Sequence, residues 1–122
     1  MNELRRAVFA ARTAFEVDDE KILTGQFRFE ESFVGFDGHF PGYPLVPAVV
    51  EVFMAQMLIE EYCGHGVRLT EVAGAKFLAQ LRPHTSITFV CRPLRPLPQA
   101  LWEVKISTEG RPAAAFRLYL EK

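Results

Sequence analysis

Residues 38–56 read GHFPGYPLVPAVVEVFMAQ, and the reading of the whole chain turns on this stretch. A loop carrying Pro41, Pro44 and Pro47 runs into an apolar segment that begins at Ala48. Proline fixes φ and loses no hydrogen bond in the first turn of a helix, so Pro47 marks a start. Gly64 and Gly66 stand where a helix should stop. The spacing predicts a helix from Ala48 to Cys63. Val49, Val50, Val52, Phe53, Met54, Ala55, Met57, Leu58, Ile59 and Tyr62 make it apolar almost all round, and only Glu51, Gln56, Glu60 and Glu61 interrupt. A surface helix keeps a polar face along its length. This one must be wrapped, and the rest of the chain supplies strands to wrap it.

Downstream, the segment from Val67 to Leu81 predicts a long strand with its odd-numbered residues inward, or a strand broken near Gly74. Ser86 to Arg92 alternates Ile87, Phe89 and Cys91 against Thr88 and Val90. The proline-rich PLRPLP, residues 93–98, is expected to be a connection, because proline cannot donate to a ladder. Leu101 to Thr108 and Ala113 to Leu120 are further strands, joined through Glu109-Gly110-Arg111-Pro112. Upstream, Arg6 to Val17 reads as a strand, with a short N-terminal helix as the alternative. Ile22 to Phe29 reads as a strand with a bulge at Gly25, and Glu30 to Pro47 as a loop. Short connections favour antiparallel pairing. The expected fold class is α+β: a curved antiparallel β-sheet around one central apolar helix, in a single domain over residues 1–122.

Composition narrows the function. The chain has 122 residues, 49% hydrophobic and 24% charged, with a net charge of −1, so its overall charge exerts no pull toward nucleic acid or an acidic membrane. The longest apolar stretch, Val46 to Ile59, is interrupted by Glu51 and Gln56 and falls short of the ~20 residues that span a bilayer. The N-terminal apolar stretch is broken by Arg12, unlike a targeting segment. Cys63 and Cys91 lack metal-site or redox spacing and read as free thiols in a reducing cytoplasm.

GHFPGYPLVP followed by an apolar helix with Ala55-Gln56 resembles the (3R)-hydroxyacyl-acyl-carrier-protein dehydratases of bacterial fatty acid synthesis. Their signature is GHFPG-x-P-x-x-PG, a helix bearing a carboxylate, then Ala-Gln. Lys76-Phe77 and Arg82-Pro83 resemble the strand and turn that follow that helix. The match covers roughly the second third of the chain. The resemblance implies the hot-dog fold and a homodimer with active sites at the subunit interface. It also implies an enzyme that dehydrates 3-hydroxyacyl thioesters of acyl carrier protein or coenzyme A, with no metal or other cofactor. Its substrate contacts would be Phe40, Gly42, Pro47, Ala48, Val49 and Phe53.

The chemistry asks for a base near neutral pKa, which suits His39, and for an acid at the departing hydroxyl. Backbone N–H groups at a helix N-terminus can hold the thioester oxygen as it gains charge. Two positions depart from the pattern. The family's carboxylate lies fourteen residues after the histidine, which here is Phe53, or Val52 if the chains are aligned on Ala55-Gln56. The nearest acid is Glu51, which at two residues' separation points about 160° away from Phe53 around the helix. Ala48 stands where the family has glycine. Plainer readings stand beside these. His39 would be a loop histidine bonded to backbone, Glu51 a first-turn carboxylate set against the helix dipole, and Gln56 a structural hydrogen-bonder. Asp37 is a turn residue that could orient the imidazole, and His65 and His84 sit in solvated turns. Phe33, Phe36, Phe40 and Tyr43 would anchor the loop, although an acyl tunnel would also be lined by aromatics. A non-catalytic acyl-thioester binder, a subunit of an active partner and a hot-dog thioesterase are the alternatives.

Overall fold

The apolar helix packs against a sheet along one side, where Val50, Met54, Ala55, Leu58 and Ile59 are buried. A computed structural model describes residues 2–33 and 46–122. The elements in order are α1 (Asn2–Ala11), β1 (Arg12–Val17), β2 (Leu23–Phe27), α2 (Ala48–Cys63), β3 (Arg68–Phe77), β4 (Ile87–Arg95), β5 (Gln99–Thr108) and β6 (Arg111–Glu121). The six strands form one antiparallel sheet in the order β1-β2-β4-β5-β6-β3. The inward positions of its central strands are Leu23 and Phe27, Ile87, Phe89 and Cys91, Trp102, Val104 and Ile106, and Phe116, Leu118 and Leu120. They close on Val50, Met54, Ala55, Leu58 and Ile59 of α2. Each such side chain contributes about 1.5–3 kcal/mol when fully buried, so this one contact holds the fold.

α2 keeps its expected bounds, from the extended Pro47 at its N-cap to the left-handed Gly64 that ends it, whose N–H donates to the Glu60 carbonyl at 2.9 Å. The β5–β6 hairpin turns on Glu109 and Gly110, with φ of 52° and 76°, the double-positive φ of a tight two-residue loop.

Four expectations are corrected. The N-terminal segment is helix α1 followed by strand β1, the alternative reading rather than the strand from Arg6; Val8 anchors α1 in the core. Gly25 is no bulge. It pairs regularly with Phe89, and the β1–β2 irregularity lies between Arg12 and Ala14. β3 does not bury its odd residues, because it is an edge strand whose register shifts between Ala73 and Lys76; Phe77 is 45% exposed. Pro93 lies within β4, opposite Trp102. β2 pairs with β4 only as far as Cys91, so beyond it β4 has one neighbour, and a residue without an N–H is tolerated there.

The reason for glycine at position 25 is the close approach of the helix. A Cβ there would lie 2.8 Å from both Leu58 methyl carbons, inside a packed core. Gly25→Ala should therefore cost about 1–3 kcal/mol, read as a lower urea midpoint. In a Leu58→Ala background that cost should shrink. An equal cost in both backgrounds would mean that this contact is not what the glycine serves.

Candidate functional site

The N-terminal turn of α2 gathers most of the candidate residues that can be described. Val46 N–H donates to the Leu81 carbonyl at 3.0 Å and pins the chain as it enters the helix. The Pro47 carbonyl accepts from the N–H groups of Val50 and Glu51 at 3.0 and 3.1 Å. The amides of Ala48 and Val49 lie ahead of those bonds, among the orphan donors of any helix start. Ala48 is exposed and Val49 is 75% exposed, so this side of the turn is open.

Glu51 is on the opposite side. It is 4% exposed, and its Oε1 has no hydrogen-bond partner among the described residues. Burial raises its carboxyl from 4.5 to about 8. An isolated carboxylate is costly away from water, so near neutral pH the carboxyl holds its proton. Phe53 is half-buried on the helix flank, with the Arg5 guanidinium of α1 5.3 Å from its ring centre. Glu51 and Phe53 thus face different surroundings, as the helical geometry required.

His39, Phe40 and Gly42, together with Phe36, Asp37 and Tyr43, lie outside the described residues. Gln56 is structural: its Nε2 donates to the Val67 carbonyl at 2.9 Å. His65 Nδ1 lies 2.9 Å from the Gly66 carbonyl oxygen. His84 is not merely solvated, since its ring nitrogens lie 3.1 Å from Glu30 and 3.7 Å from Glu31. Cys63 and Cys91 are free, and burial pushes the Cys91 thiol up to about 12. Among the described residues no group of three or more His, Cys, Asp or Glu is placed to hold a metal. None of their helices is long and apolar enough to cross a membrane.

Arg5 was not readable as a neighbour of α2. Its Nη1 also meets Glu60 at 3.0 Å, and Arg12 meets Glu61 at 2.6 Å. A cleft of about 500 Å³ opens between α1 and the C-terminal half of α2, lined by Arg5, Val8, Phe27, Met57 and His65 among others; Glu51 is not part of its wall.

A curved six-stranded antiparallel sheet around a buried helix is the hot-dog fold, and solved structures bear this out. One chain of the dehydratase heterocomplex ApeI:P from Xenorhabdus doucetiae superposes with a TM-score of 0.79 at 17% identity, over 91% of this chain and 96% of that one. The PaaI protein from the phenylacetic acid degradation operon of E. coli gives 0.72 at 14% identity, over 100% and 92%. A mutant of the thioesterase PA1618 from Pseudomonas aeruginosa gives 0.66 at 23% identity, over 87% and 77%. No curated protein sequence matches. The family model of the ApeI-like dehydratases matches residues 15–117, and the chain belongs to that family.

The buried carboxyl has a measurable signature. Its folded-state value lies above its unfolded one, so its contribution to stability is full below about pH 4.5 and is lost as pH rises through about 8. Glu51→Gln should match the parent to within about 1 kcal/mol near pH 5 and exceed it by about 2–5 kcal/mol near pH 9. Urea titrations at the two pH values measure this, and parallel curves for the two proteins would place the carboxylate in a solvated or paired site.

Proposed function

We propose that the protein is a lyase that dehydrates 3-hydroxyacyl thioesters, carried on acyl carrier protein or coenzyme A, to trans-2-enoyl thioesters in fatty acid or related acyl-chain synthesis. The observation that carries this reading is Glu51, a buried carboxyl whose Oε1 has no partner among the described residues, held neutral in the first turn of the helix that follows the HFPG segment. A carboxylic acid protonated near pH 7 is a proton donor in waiting.

In this reading the His39 imidazole takes a proton from the carbon beside the thioester carbonyl. The electron pair left behind becomes the new carbon–carbon double bond as the carbon–oxygen bond of the 3-hydroxyl breaks. Glu51 gives its proton to that oxygen, which departs as water. The proton on His39 then returns to Glu51 through solvent, and both groups are restored. The amides of Ala48 and Val49, at the positive end of the helix dipole, suit the thioester oxygen as it gains charge. Phe40, Gly42, Pro47 and Phe53 would line the acyl path, Phe53 by apolar contact. No cofactor enters these steps. The free thiols fit a reducing cytoplasm.

The working unit in this reading is a homodimer. Among the described residues β3 leaves one edge of the sheet unpaired, and Val72, Phe77 and Leu78 stand exposed along it. An open edge of this kind invites pairing with another strand. Sedimentation at micromolar concentration should give a dimer; monomer alone would remove this part of the proposal.

A second reading is favoured by one residue. Phe53 occupies the place where the resemblance puts an acid, as in a subunit that relies on an active partner, and the ApeI:P structure is itself a heterocomplex. The test is turnover of 3-hydroxyacyl thioesters of several chain lengths, followed by enoyl absorbance. Glu51→Gln and His39→Ala should each lower kcat/KM by about 10²–10⁴-fold. The parent's rate should fall as pH rises past about 8, where Glu51 loses its proton. Release of free thiol without enoyl product would instead assign a thioesterase. Turnover that appears only on adding a second hot-dog subunit would assign the partner role.

A further inference from the structure

A second cleft also lies at the C-terminal end of α2, where Tyr62 and the last helical turn face the β4–β5 hairpin. It measures about 340 Å³, at the small end of the ~300–1,000 Å³ typical of small-molecule sites. Its wall is mostly apolar. Leu94 and Leu97 come from the hairpin, and Trp102 meets Tyr62 edge to face, with ring centres 5.9 Å apart. Two cations, Lys21 and Arg95, also line it, and no carboxylate does. Arg92, two residues from Arg95, is bound to Glu103 at 2.9 Å. Lys21 and Arg95 have no ion-pair partner among the described residues.

The fold holds Lys21 at φ 67°, a backbone conformation that glycine adopts more cheaply. An aromatic and aliphatic wall with two unmatched positive charges is complementary to a molecule that is apolar along its body and negative at one end. We propose that this cleft binds a small amphipathic carboxylate, an acyl or aryl body ending in one anionic group. The body would lie against Trp102, Tyr62, Leu94 and Leu97, and the carboxylate would be held between Lys21 and Arg95. This site is separate from the first turn of α2 and does not depend on the dehydratase reading.

Trp102 is the only tryptophan of the 122-residue chain, so its fluorescence reports directly on the cleft. Titration of the full chain with sodium decanoate, below its micelle concentration, should give a saturable change in that fluorescence. 1-Decanol, with the same body and no charge, should bind at least about tenfold more weakly. Lys21→Gly, a substitution the positive φ accommodates, and Arg95→Gln should each weaken decanoate at least about fivefold while leaving the urea midpoint of the free protein in place. Equal binding of decanol would reduce the cleft to an apolar crevice and overturn the proposal, as would a flat titration or variants that bind like the parent. A fall in the midpoint of Lys21→Gly with decanoate binding unchanged would show that the lysine only offsets the carbonyl end of α2, and would overturn it too.

Discussion

A helix this apolar needs cover along most of its length, and the structure follows from that constraint, with the Ala48–Val49 side of the first turn left open. The sheet can surround α2 only by curving, and it can approach closely only where side chains give way. Gly25 is such a place, facing Leu58 without a Cβ. The alternation of β4, with Ile87, Phe89 and Cys91 buried, is the imprint of the helix on the sheet, since a strand buries one side when one side has something to bury against. At the margin the imprint fades. β3 has only β6 beside it, and its pattern is irregular and largely exposed.

Within so apolar a helix each polar group is conspicuous, and three of the four in α2 are matched. Gln56 meets the Val67 carbonyl. Glu60 joins Arg5 and the Val67 N–H, and Glu61 takes two bonds from Arg12. These contacts tie α1, β1 and the entry to β3 onto the C-terminal half of the helix. Glu51 ties nothing among the described residues. A buried carboxyl that lowers stability at neutral pH and secures none of the described elements is hard to explain as structure, whereas a site that needs a neutral acid accounts both for its burial and for an Oε1 with no partner among the described residues.

What could be read from the sequence was whatever a local signal dictates. Pro47 and Gly64 bounded α2 because capping is a property of a few adjacent residues. The strands β4, β5 and β6 showed in their alternation. α1 was harder, since Arg5 and Arg6 interrupt its apolar residues, and the Glu60 that anchors it is remote in sequence. Pro93 was misplaced because a ban on proline in strands applies only where both edges are paired, and pairing is a tertiary fact. Of the candidate site, Glu51 was found as the nearest acid to the family's position. Its burial, and an Oε1 without a partner among the described residues, are three-dimensional properties that no spacing reveals.

On the dehydratase reading, a shift of the acid from residue 53 to residue 51 has a physical logic in the surroundings of α2. Arg5 sits 5.3 Å from the ring centre of Phe53. A carboxyl at residue 53 would face that guanidinium, which favours the ionised form and lowers the pKa. An ionised group cannot donate a proton to a departing hydroxyl. A phenyl ring there instead gives the guanidinium an apolar, electron-rich face to rest on. Glu51, about 160° around the helix, is on the side away from that cation. Burial alone governs it, and burial pushes its carboxyl up rather than down. With α1 placing a cation on the flank of α2, the buried side of the first turn is where a neutral acid can persist.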